Sequence, residues 1–155
     1  MIPENVAEFV QSPIFLSIGT RDETLRPAHA WVTGAVVAPD RETVTCFVVE
    51  ERARKILSHL EANGPVAMGA GSPTHEAYQL KGRYLSSRPA DDQEGAYLES
   101  RRNGWLALAL RCGYPEQIAR PLILGFRHQP AVAITFRVEE VFLQTPGPDA
   151  GKKIG

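Results

Sequence analysis

Cysteine is scarce. The chain has two, Cys46 and Cys112, far apart and in no C-x-x-C pair, so it offers no disulfide framework and no paired-thiolate metal site. Cys46 lies in the apolar run Val44 to Val49 and reads as a small core residue. Long apolar runs are missing as well. The longest, Trp105 to Leu110, stops after six residues at Arg111, far short of the roughly 20 that cross a bilayer. Met1-Ile2-Pro3-Glu4-Asn5 has neither the basic start nor the apolar core of a secretory signal, so a cytoplasmic location is expected. An excess of one charge is absent too: 17 Lys plus Arg stand against 18 Asp plus Glu, a net charge of −1. That speaks against a nucleic-acid partner, which calls for a basic excess or stripe, and leaves room for a local pocket for one anion. His29, His59, His75 and His128 are scattered, with no H-x-x-H or H-E-x-x-H, so no metal site is expected. No G-x-S-x-G nucleophile elbow occurs. The stretch from Gly147 to Lys153 is one residue short of a phosphate loop, lacks Ser or Thr after lysine and leaves no room for a following helix.

What is present is an ordinary globular balance of 43% hydrophobic and 23% charged residues. The length of 155 residues fits one domain, residues 1–155, since folded units run to roughly 100–200 residues. A short helix is predicted from Pro3, with Val6, Phe9 and Val10 on one face, ending at Ser12-Pro13. Ile14, Leu16 and Ile18 then alternate as in a strand, Asp22-Glu23-Thr24 turns, and a longer strand runs from Arg26 to Val37. After a turn at Pro39-Asp40, Thr43 to Val49 is a third strand. The period changes to three and four over residues 50 to 63, and Asn63-Gly64-Pro65 stops that helix. Val66 to Ala70 is a strand; then Tyr78, Leu80, Gly82 and Tyr84 alternate with Gln79, Lys81 and Arg83. A helix is expected from Pro89 to Asn103-Gly104, a shorter one from Trp105 to Arg111, and irregular or partly helical chain over 112 to 129. Val132, Ile134, Phe136 and Val138 begin a last strand that runs to Leu143 with a bulge near Glu139-Glu140. Turns too short for crossover helices join the first three strands, which favours an antiparallel α+β fold or small barrel over a parallel sheet.

Basic residues gather near strand ends: Arg26 at the second strand, and Arg52, Arg54 and Lys55 at the front of the helix after the third. A helix N-terminus offers free N–H groups, and with nearby cations it suits a phosphate. Charges solvated on a helix face are the plainer reading of the same run.

The order of segments resembles the pyridoxamine 5′-phosphate oxidase-like FMN-binding split-barrel family. It is carried by a helix ending in Ser12-Pro13, a strand ending Ile18-Gly19-Thr20-Arg21, and an Arg-Pro strand with a tryptophan (Arg26 to Trp31). Cys46-Phe47-Val48-Val49, the helix ending Leu60-Glu61-Ala62-Asn63-Gly64-Pro65, and Gln79-Leu80-Lys81-Gly82-Arg83 complete it. The match covers residues 3 to 90. It implies an α+β, mainly β fold, an antiparallel split β-barrel with flanking helices. It further implies a homodimer with FMN at the subunit interface, a small-molecule substrate and flavin-dependent oxidoreduction. A non-catalytic sensor or carrier on the same scaffold is the alternative, with F420 or haem as other cofactors. By the same resemblance Arg26, Ala28, His29, Ala30 and Trp31 line the flavin, Val48, Val49, Arg54 and Lys55 hold its phosphate, and Gln79 faces the ring edge. Trp31 reads more readily as a barrel core residue than as a flavin contact, and His29 equally suits a structural role. A haem would draw its axial ligand from His29, His75 or His128. Glu50 and Glu51 follow Val49, and two carboxylates repel a phosphate unless they point away.

Overall fold

Strand alternation and short turns dictate the architecture seen in the computed structural model, which describes residues 1–155. The elements are α1 (Glu4–Gln11), β1 (Phe15–Arg21), β2 (Pro27–Val37), β3 (Thr43–Val49), α2 (Glu50–Asn63), β4 (Pro65–Gly71), β5 (Ala77–Pro89), α3 (Asp92–Arg111), α4 (Glu116–Gly125) and β6 (Ala131–Leu143). The strands close into a barrel in the order β1-β2-β3-β6-β5-β4, every pair antiparallel and β4 bonded back to β1. Closure leaves no strand edge to be protected. The fold class is thus the expected one.

Leu16, Ile18, Val32, Cys46, Leu80 and Phe136 point inward and are buried, together with most of the other alternating apolar positions. Two helices stop the ends. On α1, Gln11 Oε1 accepts from the Val37 N–H at 3.1 Å and Phe9 meets Tyr78 edge-on at 5.2 Å. At the other end, His59 Nδ1 of α2 lies 3.1 Å from Thr20 Oγ1 and Asn63 donates to the Arg21 carbonyl at 2.9 Å. Helix α3 lies on the outside, where Leu98 packs with Phe47, Ala131 and Ala133. Gly34 admits it: a Cβ there would sit 2.7 Å from Leu98 Cδ2.

Two boundaries differ from the sequence reading. Asn103-Gly104 does not end α3, which continues to Arg111. Glycine costs a helix interior about 1 kcal/mol, but here it lets α3 approach Pro13, whose Cβ would be 3.0 Å from an added Cβ. Pro89 closes β5 opposite Val132 rather than opening a helix. The start is set by Asp91, whose side chain accepts from the Glu94 N–H while Glu94 reaches back, a complete capping box. The expected bulge is present: Lys81 pairs with Glu140 and Gly82 with Val138, leaving Glu139 unpaired. The tail is ordered against β6, with Ile154 donating to Val141 and Val141 to Gly155, each at 2.8 Å. No helix is long and apolar enough to cross a membrane.

Candidate functional site

Strand parity sorts the candidate residues. On β2, His29 and Trp31 face outward while Ala30 is buried, because successive side chains take opposite faces. Trp31 is 54% exposed, so it is no core residue, and His29 stands edge-on to it with ring centroids 5.5 Å apart. Val48 pairs with Val32, which sets the end of β3 and the first turn of α2 beside the outward pair. Val48 and Val49 are themselves buried, leaving only main-chain atoms there to meet a ligand. Arg26 lies in the β1–β2 turn, where Asp22 Oδ1 accepts its N–H at 2.9 Å; the same oxygen takes the Thr24 N–H and hydroxyl. Those bonds, that of Arg26 foremost, hold the Asp22 carboxyl below its ordinary value.

Gln79 is on the same outer surface but apart. Register places it in the row Trp31–Ser17–Gly69–Gln79, three strand steps or about 14 Å along the sheet. The neighbouring row is His29–Gly19–Ala67–Lys81. Small residues between the two flanks make a shallow floor. An open cleft of about 660 Å³ runs over it at the α2 end of the barrel, with Ala28 and His29 on one wall, Lys81 opposite, and Arg21 at the rim.

Helix α2 divides its cations. Arg52, Lys55 and His59 recur at i, i+3 and i+7 and share one flank, the one that His59 ties to Thr20 of β1. Arg54 shares the other flank with Glu50 and Leu57, and Glu50 opens toward a separate cleft bounded by Asp91, Gly95 and Pro130. Lys55 therefore lies on the β1–β2 side and Arg54 does not. Arg52, which the resemblance does not single out, joins Lys55 there; its three-residue spacing was the signal available in the sequence. None of the three makes an ion pair. Glu51 is drawn off by Arg127 at 2.9 Å. The N-cap of α2 is Val49, with no side-chain cap, so first-turn N–H groups lack a side-chain acceptor.

The remaining histidines are engaged otherwise. His128 Nε2 lies 2.8 Å from Glu99 Oε2, and His75 sits at an exposed turn with φ of 68°. Of the three candidates for an axial ligand, His29 alone stands on the open cleft. Cys46 is buried, and burial pushes its thiol up to about 12.

Likeness to solved structures extends over nearly the whole chain. A protein of Lactobacillus delbrueckii classed as a pyridoxamine 5′-phosphate oxidase aligns over 91% of this chain and 93% of its own, with TM-score 0.55 and 14% identity. An F420 reductase aligns over 90% and 98%, with TM-score 0.54 and 17% identity. An FMN-binding protein of Syntrophomonas wolfei aligns over 89% and 85%, with TM-score 0.50 and 14% identity. The fold is the pyridoxamine 5′-phosphate oxidase-like split barrel. No protein-family profile and no curated protein sequence matches the chain. In this split barrel, then, His29 of β2 stands on the open cleft, which borders the chain just after α2 at Pro65, while the first turn of α2 at Glu50 borders the cleft beside Pro130.

Proposed function

We propose that this split barrel binds FMN and serves as a flavin-dependent oxidoreductase for a small-molecule substrate. The observation that carries the reading is the front of α2: an uncapped helix start with Arg52 and Lys55 unpaired on the flank that meets β1 and β2. The Glu50 N–H already donates to the Pro130 carbonyl at 2.9 Å, so such an end attracts a phosphate through the remaining first-turn N–H groups, the dipole and the cations together. Of the two carboxylates that would oppose it, Glu51 pairs with Arg127 and Glu50 lies on the far flank, lining the separate cleft. His29 and Trp31 offer a ring edge and an aromatic face to a planar cofactor, and hydride transfer is the chemistry that a flavin supplies, the protein adding orientation and electrostatics. The residues present fit such a group. A second copy would seat on the small-residue face of β1 and β4, bringing a further wall to the cleft.

Spectroscopy tests the reading. Full-length protein supplied with FMN is expected to retain a yellow chromophore with quenched flavin emission, and NAD(P)H is expected to bleach it. Lys55→Ala should weaken FMN binding by about tenfold or more, since a charge-assisted phosphate contact is worth roughly 1.5–3 kcal/mol; Arg54→Ala should do less. A colourless protein, or Lys55→Ala with unchanged affinity, rejects the assignment. F420 is the second reading, favoured by the likeness to an F420 reductase; parallel titration with FMN and F420 separates the two.

A further inference from the structure

We propose that the groove between α3, α4 and the start of β1 is a binding site for an uncharged, mainly hydrocarbon or aromatic small molecule. The groove has two adjoining lobes, one of about 430 Å³ and one of about 200 Å³, which share Phe15, Trp105, Leu122 and Ile123 as common walls. The larger lies within the range of roughly 300–1,000 Å³ usual for small-molecule sites, which are concave and mostly apolar. Four observations define what it accepts. No charged side chain lines either lobe, so an ion entering would lose its hydration without a partner. The one indole donor in the wall, Trp105 Nε1, is already spent on the Ile14 carbonyl at 3.0 Å. Aromatic walls stand at stacking distance, Phe15 and Phe126 at 6.4 and 6.3 Å from Trp105. Polar groups occur only as Tyr114, 61% exposed, and the Cys112 thiol. A ligand with a neutral apolar body and at most one hydrogen-bonding group fits.

The lining commits the groove to a small molecule: aliphatic and aromatic side chains wall both lobes with no charge, and the larger lobe is of a size to enclose one. Trp31 stands in the smaller lobe and beside His29, where the proposed flavin would also meet it; the larger lobe, which Trp31 does not line, is separate from the cation-bearing flank of α2.

The chain's two tryptophans, Trp31 and Trp105, both line the smaller lobe, so all indole emission reports on the groove. Full-length protein is titrated with N-phenyl-1-naphthylamine, an uncharged probe. A saturable rise in probe emission at one site per chain is expected, with quenching of tryptophan emission. Leu122→Glu and Ile118→Glu, both at positions more than half exposed and so harmless to folding, should weaken the probe at least about tenfold. Leu85→Glu, an exposed apolar position on β5 outside the groove, should leave it unchanged. Absence of saturable binding, or equal weakening by Leu85→Glu, overturns the proposal. So does Leu122→Glu turning a sedimenting assembly into monomers, which would mean that another copy fills the groove. Probe binding that persists in Lys55→Ala keeps this inference independent of FMN.

Discussion

Gly82 sits where β5 pairs across the bulge of β6, and an added Cβ would lie 1.9 Å from the Arg137 carbonyl oxygen. That neighbour is backbone inside a closed barrel and has nowhere to move. Gly82→Ala is expected to destabilise the protein by roughly 3 kcal/mol, the upper range for overpacking, seen as a fall in the urea midpoint; a change under about 1 kcal/mol would show that the bulge yields. The thiols divide in the same local manner. Cys46 is buried with its pKa pushed up to about 12, whereas Cys112 is exposed, and only a thiolate attacks a disulfide reagent. Native protein should therefore release one equivalent of chromophore rapidly with Ellman's reagent, and the second only after unfolding. Two rapid equivalents would mean that the barrel core opens readily.

At the scale of elements, α3 begins with a charged clasp. Arg88 Nη1 and Nη2 donate to the two Glu94 carboxylate oxygens at 2.7 Å each, and Glu94 also completes the capping box. The Arg88 bond is the main reason that the Glu94 carboxyl lies below its ordinary value of 4.5. A carboxylate whose folded pKa is depressed stabilises the fold fully above the unfolded value and loses that contribution as pH falls through the folded one. Glu94→Gln should thus be less stable than the parent at pH 7, and the difference should be smaller at pH 3, below the ordinary value of 4.5. Urea unfolding at both pH values measures it, and a gap that persists in acid would assign the effect to the capping geometry rather than the charge. The same helix shows why boundaries are the hardest feature to read. Asn103-Gly104 carries an ordinary stop signal, and only the approach of Pro13 in space reveals that this glycine is a contact point.

For the whole molecule, closure of the sheet produces two unlike surfaces. Helix α3 covers the outside of β2, β3 and β6 near Gly34 and Phe47, while the outer faces of β1 and β4 present Ser17, Gly19, Ala67 and Gly69 as a strip of small residues. A strip of small residues lets a second copy approach closely, and the proposed cofactor cleft would gain a wall from it. Sedimentation velocity is expected to give a dimer at micromolar concentration, and Ser17→Arg, an outward position on β1, should give a monomer with an unchanged circular dichroism spectrum. A monomeric parent protein would remove the shared-cleft arrangement and leave the barrel itself unaffected.

Strand identity, antiparallel order, the α2 helix and the bulge at Glu139 were all determined by the sequence alone, because each rests on a local period, a turn residue or a cap. Ile14 to Ile18 and Tyr78 to Gly82 alternate strictly, so the side facing the core was legible from single residues. The tertiary structure decided what depends on two segments meeting. Trp31 could have been core or surface by composition; its place beside the α3–α4 groove follows only from helices packing on one side of β2. Arg54 and Lys55 are adjacent in the chain yet fall on opposite flanks of α2, and only the contact between His59 and Thr20 shows which flank meets β1 and β2. Separation in sequence carries no record of such meetings, since side chains that share a pocket are brought there by burying apolar surface elsewhere.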